Sequence, residues 1–395
     1  MAAGANIGIL TGGGDVPGLN SVIKSVVYRT SEMGRRVIGL RKGWAALTHM
    51  DPAQEFDPAS LRHLTRENTR TIDRSGGTIL HTSRTNPQRI KISKVPVHLP
   101  PEELKKLQQE EDSYDFTPVV LRNLERLGIG CLIVIGGDDT LGFAATLDRA
   151  GVPLVAVPKT MDNDVRGTED CIGFSTAITR AKELISRQRT TLGSHERIGI
   201  FRIFGRDSGF TALYTAYVTS TRCLIPEYPF DLDRLCQLLL EDKRNNPSHY
   251  SLVVASEGAV WQGQQAAEFG EADAYGHRKK VDIGHALAEE VRQRTGQDTM
   301  TSDLTYDLRS GDPDALDQMV ATTFANIALD LIREGVTGRL VAVQNGRYTH
   351  APLPDPAQGP RQVDVAALYN TERYRPHYAA KLGAPLLLSS AQRRD

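Results

Sequence analysis

Six short apolar runs punctuate the chain, several of them closed by glycine or charged residues: Ile7 to Leu10, Cys131 to Ile135, Val152 to Val157, Ile198 to Ile203, Ser251 to Ala255 and Leu340 to Val343. Nearly continuous apolarity over so few residues marks a strand covered on both faces, as in a parallel sheet sandwiched by helices. Arg202 is the single charged interruption. Between the runs lie helical patterns, such as Leu19, Val22, Ile23, Val26 and Val27, or Leu141, Ala144, Ala145 and Leu147. Strands alternating with helices specify an α/β chain with mainly parallel sheets. With 395 residues, and roughly 150 residues per domain, two domains are expected, with room for a third small element.

Charge and cysteines narrow the function. The 47 basic and 48 acidic side chains leave a net charge of −1, too little field to hold nucleic acid or anionic lipid nonspecifically. Neither nucleic acid nor membrane is expected as a partner, and any anion site must be local. The four cysteines, Cys131, Cys171, Cys223 and Cys236, show no zinc or disulfide spacing. The opening MAAGANIGILTGGG lacks a basic start and a long apolar run, and no stretch reaches about 18 uninterrupted apolar residues. A soluble, cytoplasmic protein with reduced thiols is the expectation. The proline- and charge-rich segment 91–118 reads as a surface insertion, and 262–280 as a loop or hairpin away from the core. The tail after Gln358 reads as irregular until the apolar LGAPLLL.

Chemistry gathers where apolar runs end. After the first run come Gly12, Gly13 and Gly14, which let backbone N–H groups approach a phosphate closely, although a tight turn without a ligand has the same composition. After the second come Gly136, Gly137, Asp138 and Asp139; the aspartates suit either a helix N-terminus or a hard cation bound through carboxylate and phosphate oxygens. The third cluster, Lys159, Thr160, Asp162, Asn163 and Asp164, supplies a cation, a hydroxyl and two carboxylates. Turn residues look similar, but phosphoryl transfer to an alcohol needs this kit. A fourth, Phe204, Gly205 and Arg206, follows another apolar run, with Arg197 just before that run. Arg197 taken alone reads as a solvated arginine. Glu257 and Arg309 complete a set suited to a sugar phosphate, carboxylate for hydroxyls and guanidinium for phosphate.

In order and spacing, these segments resemble the phosphofructokinase family. The resemblance covers most of the chain and rests on TGGGDVPGLN at 11–20, GGTILHTSRTNP at 76–87, IGGDDTLG at 135–142, PKTMDND at 158–164, GTEDCIGFSTA at 167–177, SHERIGIFRIFGRDSG at 194–209 and ASEG at 255–258. It implies two Rossmann-like three-layer domains with the active site in the cleft between them. Residues 1–173 with about 310–360 would form the larger donor domain, and 174–309 with the C-terminal tail the smaller sugar-phosphate domain. It further implies that Gly12, Gly13, Gly137 and Arg84 meet the donor, that Asp138 holds Mg2+, and that Asp162, flanked by Thr160 and Asp164, is the base for the 1-hydroxyl of fructose 6-phosphate. Phe204, Gly205, Arg206, Glu257, Tyr306 and Arg309 would surround the sugar phosphate, and Arg197 would reach a neighbouring subunit's site in a homodimer or homotetramer.

The resemblance also bears on the donor. ATP-using members generally carry glycine at the position of Asp139, and the bacterial ones also carry it at that of Lys159; pyrophosphate-dependent members resemble this chain in having Asp and Lys. The physics agrees, because ATP must extend its α-phosphate and nucleoside where pyrophosphate ends. Two unit charges about 4 Å apart repel by roughly 4 kcal/mol at an effective dielectric of about 20. Even half of that exceeds a tenfold preference, at roughly 1.4 kcal/mol per tenfold. The expected reaction is reversible phosphorylation of fructose 6-phosphate by pyrophosphate, serving glycolysis and gluconeogenesis. An ATP or mixed donor, sedoheptulose 7-phosphate as acceptor, and a sugar-phosphate sensor without turnover are the rival readings. Three departures bear on the acceptor: Phe204 stands where many relatives have Met, Tyr306 where the short bacterial enzymes have His, and Met300 where they carry an arginine.

Overall fold

The computed structural model describes residues 6–378 apart from 52, 264–267, 270–278 and 281. In chain order the strands of the two main sheets are β1 (Asn6–Thr11), β2 (Val37–Leu40), β3 (Leu61–Leu64), β4 (Ile129–Gly136), β5 (Leu154–Pro158), β6 (Ile198–Ile203), β7 (Arg222–Leu224), β8 (Ser251–Ser256), β9 (Thr299–Asp303), β10 (Arg339–Gln344) and β11 (Arg347–Pro352). The larger sheet runs β11-β10-β5-β4-β1-β2-β3, and the smaller runs β7-β8-β6-β9. The smaller is parallel throughout. In the larger, only the edge strands β3 and β11 are antiparallel. The molecule is thus α/β with mainly parallel sheets, and all six apolar runs are strands of these sheets.

Packing explains their apolarity. Along β4, Ile133 and Ile135 join one core while Leu132 and Val134 join another, and β5 divides Val155 and Val157 from Leu154 and Ala156 in the same way. A strand with both faces buried has no polar alternate position. The first of these cores continues without a break from the larger sheet to Ile198, Ile200 and Val253 of the smaller. Helices at this junction include α1 (Leu19–Glu32), α3 (Phe174–Ser194) and α6 (Ala315–Arg333), while α2 (Asp138–Arg149), α4 (Phe210–Thr219) and the short α5 (Thr305–Arg309) stand at strand ends. Asp317, fully buried on α6, accepts from the N–H groups of Gly173 and Thr176 at 2.9 and 2.8 Å, which caps α3 from another element.

Within 91–118, strands Gln108–Glu110 and Ser113–Tyr114 and the helix Pro101–Leu107 form a small unit with Ile90–Lys91. Ile90, Leu107, Tyr114, Phe116 and Val119 give it its own core. Most of 262–280 lies outside the described residues, although Glu268–Phe269 and Lys279–Lys280 pair antiparallel. The LGAPLLL segment also lies outside them. Before it, the tail is anchored: Arg222 and Arg375 share the Asp242 carboxylate, and the Tyr369 hydroxyl donates to the Cys223 carbonyl at 2.8 Å. All four cysteines are buried and unbridged. Burial pushes the Cys131 thiol up to about 12 and raises those of Cys171 and Cys223 further. No helix among the described residues is long and apolar enough to cross a membrane.

Candidate active site

The carboxyl ends of β1, β4 and β5 in the larger sheet and of β6 and β8 in the smaller face one cavity of about 590 Å³. Ligands of parallel sheets bind at such ends. Gly13, Asp138, Lys159 and Asp162 line it from one side, and Phe204, Arg206 and Glu257 from the other.

The glycine turn is shaped by its neighbours. Gly13 has φ 78°, and a Cβ there would lie 2.9 Å from the Lys159 ammonium. Its N–H donates to the Ser83 carbonyl at 3.1 Å, and the Gly13 carbonyl accepts from the Thr82 hydroxyl at 2.5 Å. A Cβ on Gly14 would collide with the Arg309 guanidinium. Gly12 serves packing: its N–H donates to the Ile135 carbonyl at 2.9 Å, and a Cβ would meet the Thr140 hydroxyl at 2.5 Å.

Asp138 and Asp139 open α2, where negative charge offsets the helix dipole. Burial pushes the Asp138 carboxyl up to about 7, helped by Asp164 and Asp139. Lys159, only 5 % exposed, is lowered to about 8 by burial and then by Arg309, against the opposing pull of Asp164 and Asp139. Burial raises Asp162 well above the usual carboxylate range, with Asp164 and then Glu257 adding to it; Asp164 is raised by burial too. Acids raised by burial beside a cation lowered by it suit proton transfer next to a polyanion. Asp138 offers one hard oxygen ligand, and no cluster of three or more candidate ligands exists among the described residues. That fits Mg2+, which takes one or two carboxylates and completes its shell with water and substrate phosphate.

The loop carrying the acids is pinned from both sides. Asn163 is buried at φ 55°, its amide donating to the Glu169 carbonyl at 2.8 Å. The Thr211 hydroxyl on α4 donates to the Met161 carbonyl at 2.7 Å. From the tail, Arg361 donates to the carbonyls of Asn163, Thr168 and Glu169 at 3.2, 2.9 and 3.4 Å, and its N–H donates to the Asp164 carbonyl at 2.6 Å. On the other wall the Arg309 guanidinium stacks 4.7 Å from the Phe204 ring and donates to the Asp15 carbonyl. Arg202 binds Asp303 at 2.6 Å and Glu257 at 3.3 Å.

The cavity gathers Gly13, Arg84, Gly137, Asp138, Asp139, Lys159, Thr160, Asp162, Asp164, Phe204, Arg206, Glu257 and Arg309. Gly12, Gly205, Tyr306 and Arg197 are not on its wall. Gly205 forms the turn, with φ 122° and no room for a Cβ beside the Ser208 carbonyl at 2.7 Å. Tyr306 is 79 % exposed. Arg197 precedes the first residue of β6, so the length of that strand, roughly 20 Å at ~3.3 Å per residue, separates it from Phe204. Sequence reasoning had no role for Arg202, Arg361, Asp207 or Gln88. Arg202 left one signal, a charge inside an apolar strand; Arg361, in an irregular tail, left none.

A model of the family described as Phosphofructokinase matches residues 6–332. A pyrophosphate--fructose 6-phosphate 1-phosphotransferase of Streptomyces coelicolor is 35 % identical over 364 residues, covering 91 % of this chain and 96 % of its own. An ATP-dependent 6-phosphofructokinase 3 of the same organism is 33 % identical over 369 residues, covering 93 % and 98 %. The pyrophosphate-dependent phosphofructokinase structure from Marinobacter aquaeolei superposes with a TM-score of 0.69 at 18 % identity, covering 94 % and 89 %. Relatives of both donor types thus stand at similar distance, and what they share, together with the family match over most of the chain, makes this protein a member of the phosphofructokinase family.

Proposed function

We propose that the chain transfers a phosphoryl group reversibly between pyrophosphate and the 1-hydroxyl of fructose 6-phosphate. The C1 oxygen attacks one phosphorus of pyrophosphate, the bridging P–O bond breaks, and the products are fructose 1,6-bisphosphate and phosphate. The hydroxyl proton passes to Asp162, whose raised carboxyl is a stronger base than an exposed aspartate. Lys159 and Arg309 neutralise charge on the moving group, and Arg206 and Glu257 hold the sugar phosphate. Mg2+, when bound through Asp138 and the donor oxygens, would draw off negative charge there. The larger sheet serves the donor and the smaller the sugar. Arg197, remote from this chain's own cavity, acts on a neighbouring subunit's site in a homodimer or homotetramer.

The observation that carries the donor choice is Asp139 on the cavity wall, at the start of α2, within electrostatic reach of the buried Lys159. A longer donor brings its next phosphate against that carboxylate. The test is initial rates with fructose 6-phosphate and either pyrophosphate or ATP, for the wild type and Asp139→Gly. Pyrophosphate should be preferred by the wild type, and the variant should gain ATP use; a wild type that prefers ATP refutes the donor assignment. Turnover no faster than that of Asp162→Asn with either donor would sink the catalytic reading itself.

A further inference from the structure

Beyond Asp139 the cavity continues along α2 past Gly142 and Thr146 to Arg149, and its opposite wall there is the segment 354–360 from the tail. We propose that this segment is a second determinant of donor length, closing the outer end of the donor pocket so that compact inorganic diphosphates enter and nucleoside triphosphates do not. The proposal rests on the pyrophosphate reading and deepens it.

Three observations carry it. First, wall and helix approach closely: a Cβ on Gly142 would lie only 3.1 Å from the Pro356 ring, so little room is left there for a donor running on along the helix. The whole cavity, about 590 Å³, must also hold the sugar phosphate. Second, the wall is anionic where it turns. Asp355 caps the short turn Pro356–Gln358 by accepting from the Ala357 N–H at 3.0 Å, which fixes a carboxylate on the pocket rim. Arg149, the cation on the facing helix, directs a guanidinium nitrogen to the Thr146 hydroxyl at 3.3 Å. Third, the segment is held in place. Pro354, Pro356 and Pro360 restrict its backbone. The Arg166 side chain donates to the Gly359 carbonyl at 2.8 Å, and Arg361 follows with its bonds to the loop that carries Asp162 and Asp164. On the far side the Val363 N–H donates to Glu227 at 2.9 Å. Held by these bonds at its C-terminal end and by strand β11, whose last residue Pro352 pairs with Arg339, at its N-terminal end, the wall cannot swing aside cheaply for a nucleoside.

The experiment compares Asp139→Gly with a variant that adds Asp355→Gly and Pro356→Gly, reading the ratio of kcat/KM for ATP to that for pyrophosphate. Asp355 and Pro356 are exposed, so their replacement leaves the core intact. The expected result is a ratio at least about tenfold higher in the combined variant. ADP inhibition against pyrophosphate gives a second readout that needs no turnover of ATP, and it should strengthen in parallel. An unchanged ratio and unchanged ADP inhibition, in a chain whose wild type uses pyrophosphate, overturn the inference alone. A wild type that prefers ATP overturns the donor reading and this inference with it.

Discussion

Replacing Gly13 by alanine separates backbone strain from the position of one ammonium group. The left-handed φ of 78° costs a non-glycine residue roughly 1–2 kcal/mol, which should appear as lost stability in urea denaturation. The added methyl would stand 2.9 Å from the Lys159 Nζ, well inside the normal contact distance of roughly 3.5–4.0 Å. Lys159 must then retreat by something approaching 1 Å, and a misplacement of about that size can cost on the order of 100-fold in rate. Steady-state rates with pyrophosphate should therefore show a loss of about 100-fold in kcat/KM for Gly13→Ala. The same substitution in a Lys159→Met background should add less than about threefold, because the group it displaces is gone. Equal losses in both backgrounds would refute the argument, since the methyl would then act on the donor or the turn and not through Lys159.

The pH profile of kcat/KM should be a bell. As the proposed base, Asp162 must be deprotonated, and because it is raised its limb should fall as pH drops through a value above the ordinary aspartate pKa of about 3.9. Lys159, lowered to about 8, must be protonated for its proposed role, so the other limb should fall above that pH and Lys159→Met should abolish it. Arg361→Lys keeps the charge but cannot span three carbonyls; kcat should fall about tenfold or more through misplacement of the base, while the KM for pyrophosphate moves little. Asp170 is buried and raised to about 8, by burial and then by Asp317. The folded chain thus binds the extra proton between about pH 4 and 8, and this contribution to stability is lost as pH rises through the folded value. Urea midpoints should fall from pH 5.5 to 8.5 for the wild type, with a shallower fall for Asp170→Asn.

How much could be read in advance follows from where each signal resides. The buried strands were visible because both faces of β4 and β5 are apolar. Strand β2, the fully buried VIGL, carries the same pattern and belongs with those runs, whereas β9, the half-buried polar edge TMTSD, and β11, an exposed edge, carry none. The cavity wall was equally readable, since Gly13, Asp138, Lys159, Phe204 and Glu257 each stand within two residues of a strand's end. What holds that wall was not. Arg361 reaches Thr168 across 193 residues and Arg202 reaches Glu257 across 55, and partnerships that distant leave no local pattern. Tyr306, expected at the sugar because of its motif, is exposed and off the cavity wall, whereas Arg309, one turn further on the same helix, lines it.

The burial of every cysteine has a practical side. With no thiol of its own at the surface, the folded chain should be silent toward maleimide and similar reagents, and a cysteine introduced at exposed Ala357 would be the one group to react. A dye attached there would sit next to Pro356 on the cavity wall, so that labelling rate and fluorescence should register a ligand entering the cavity directly, without a coupled assay.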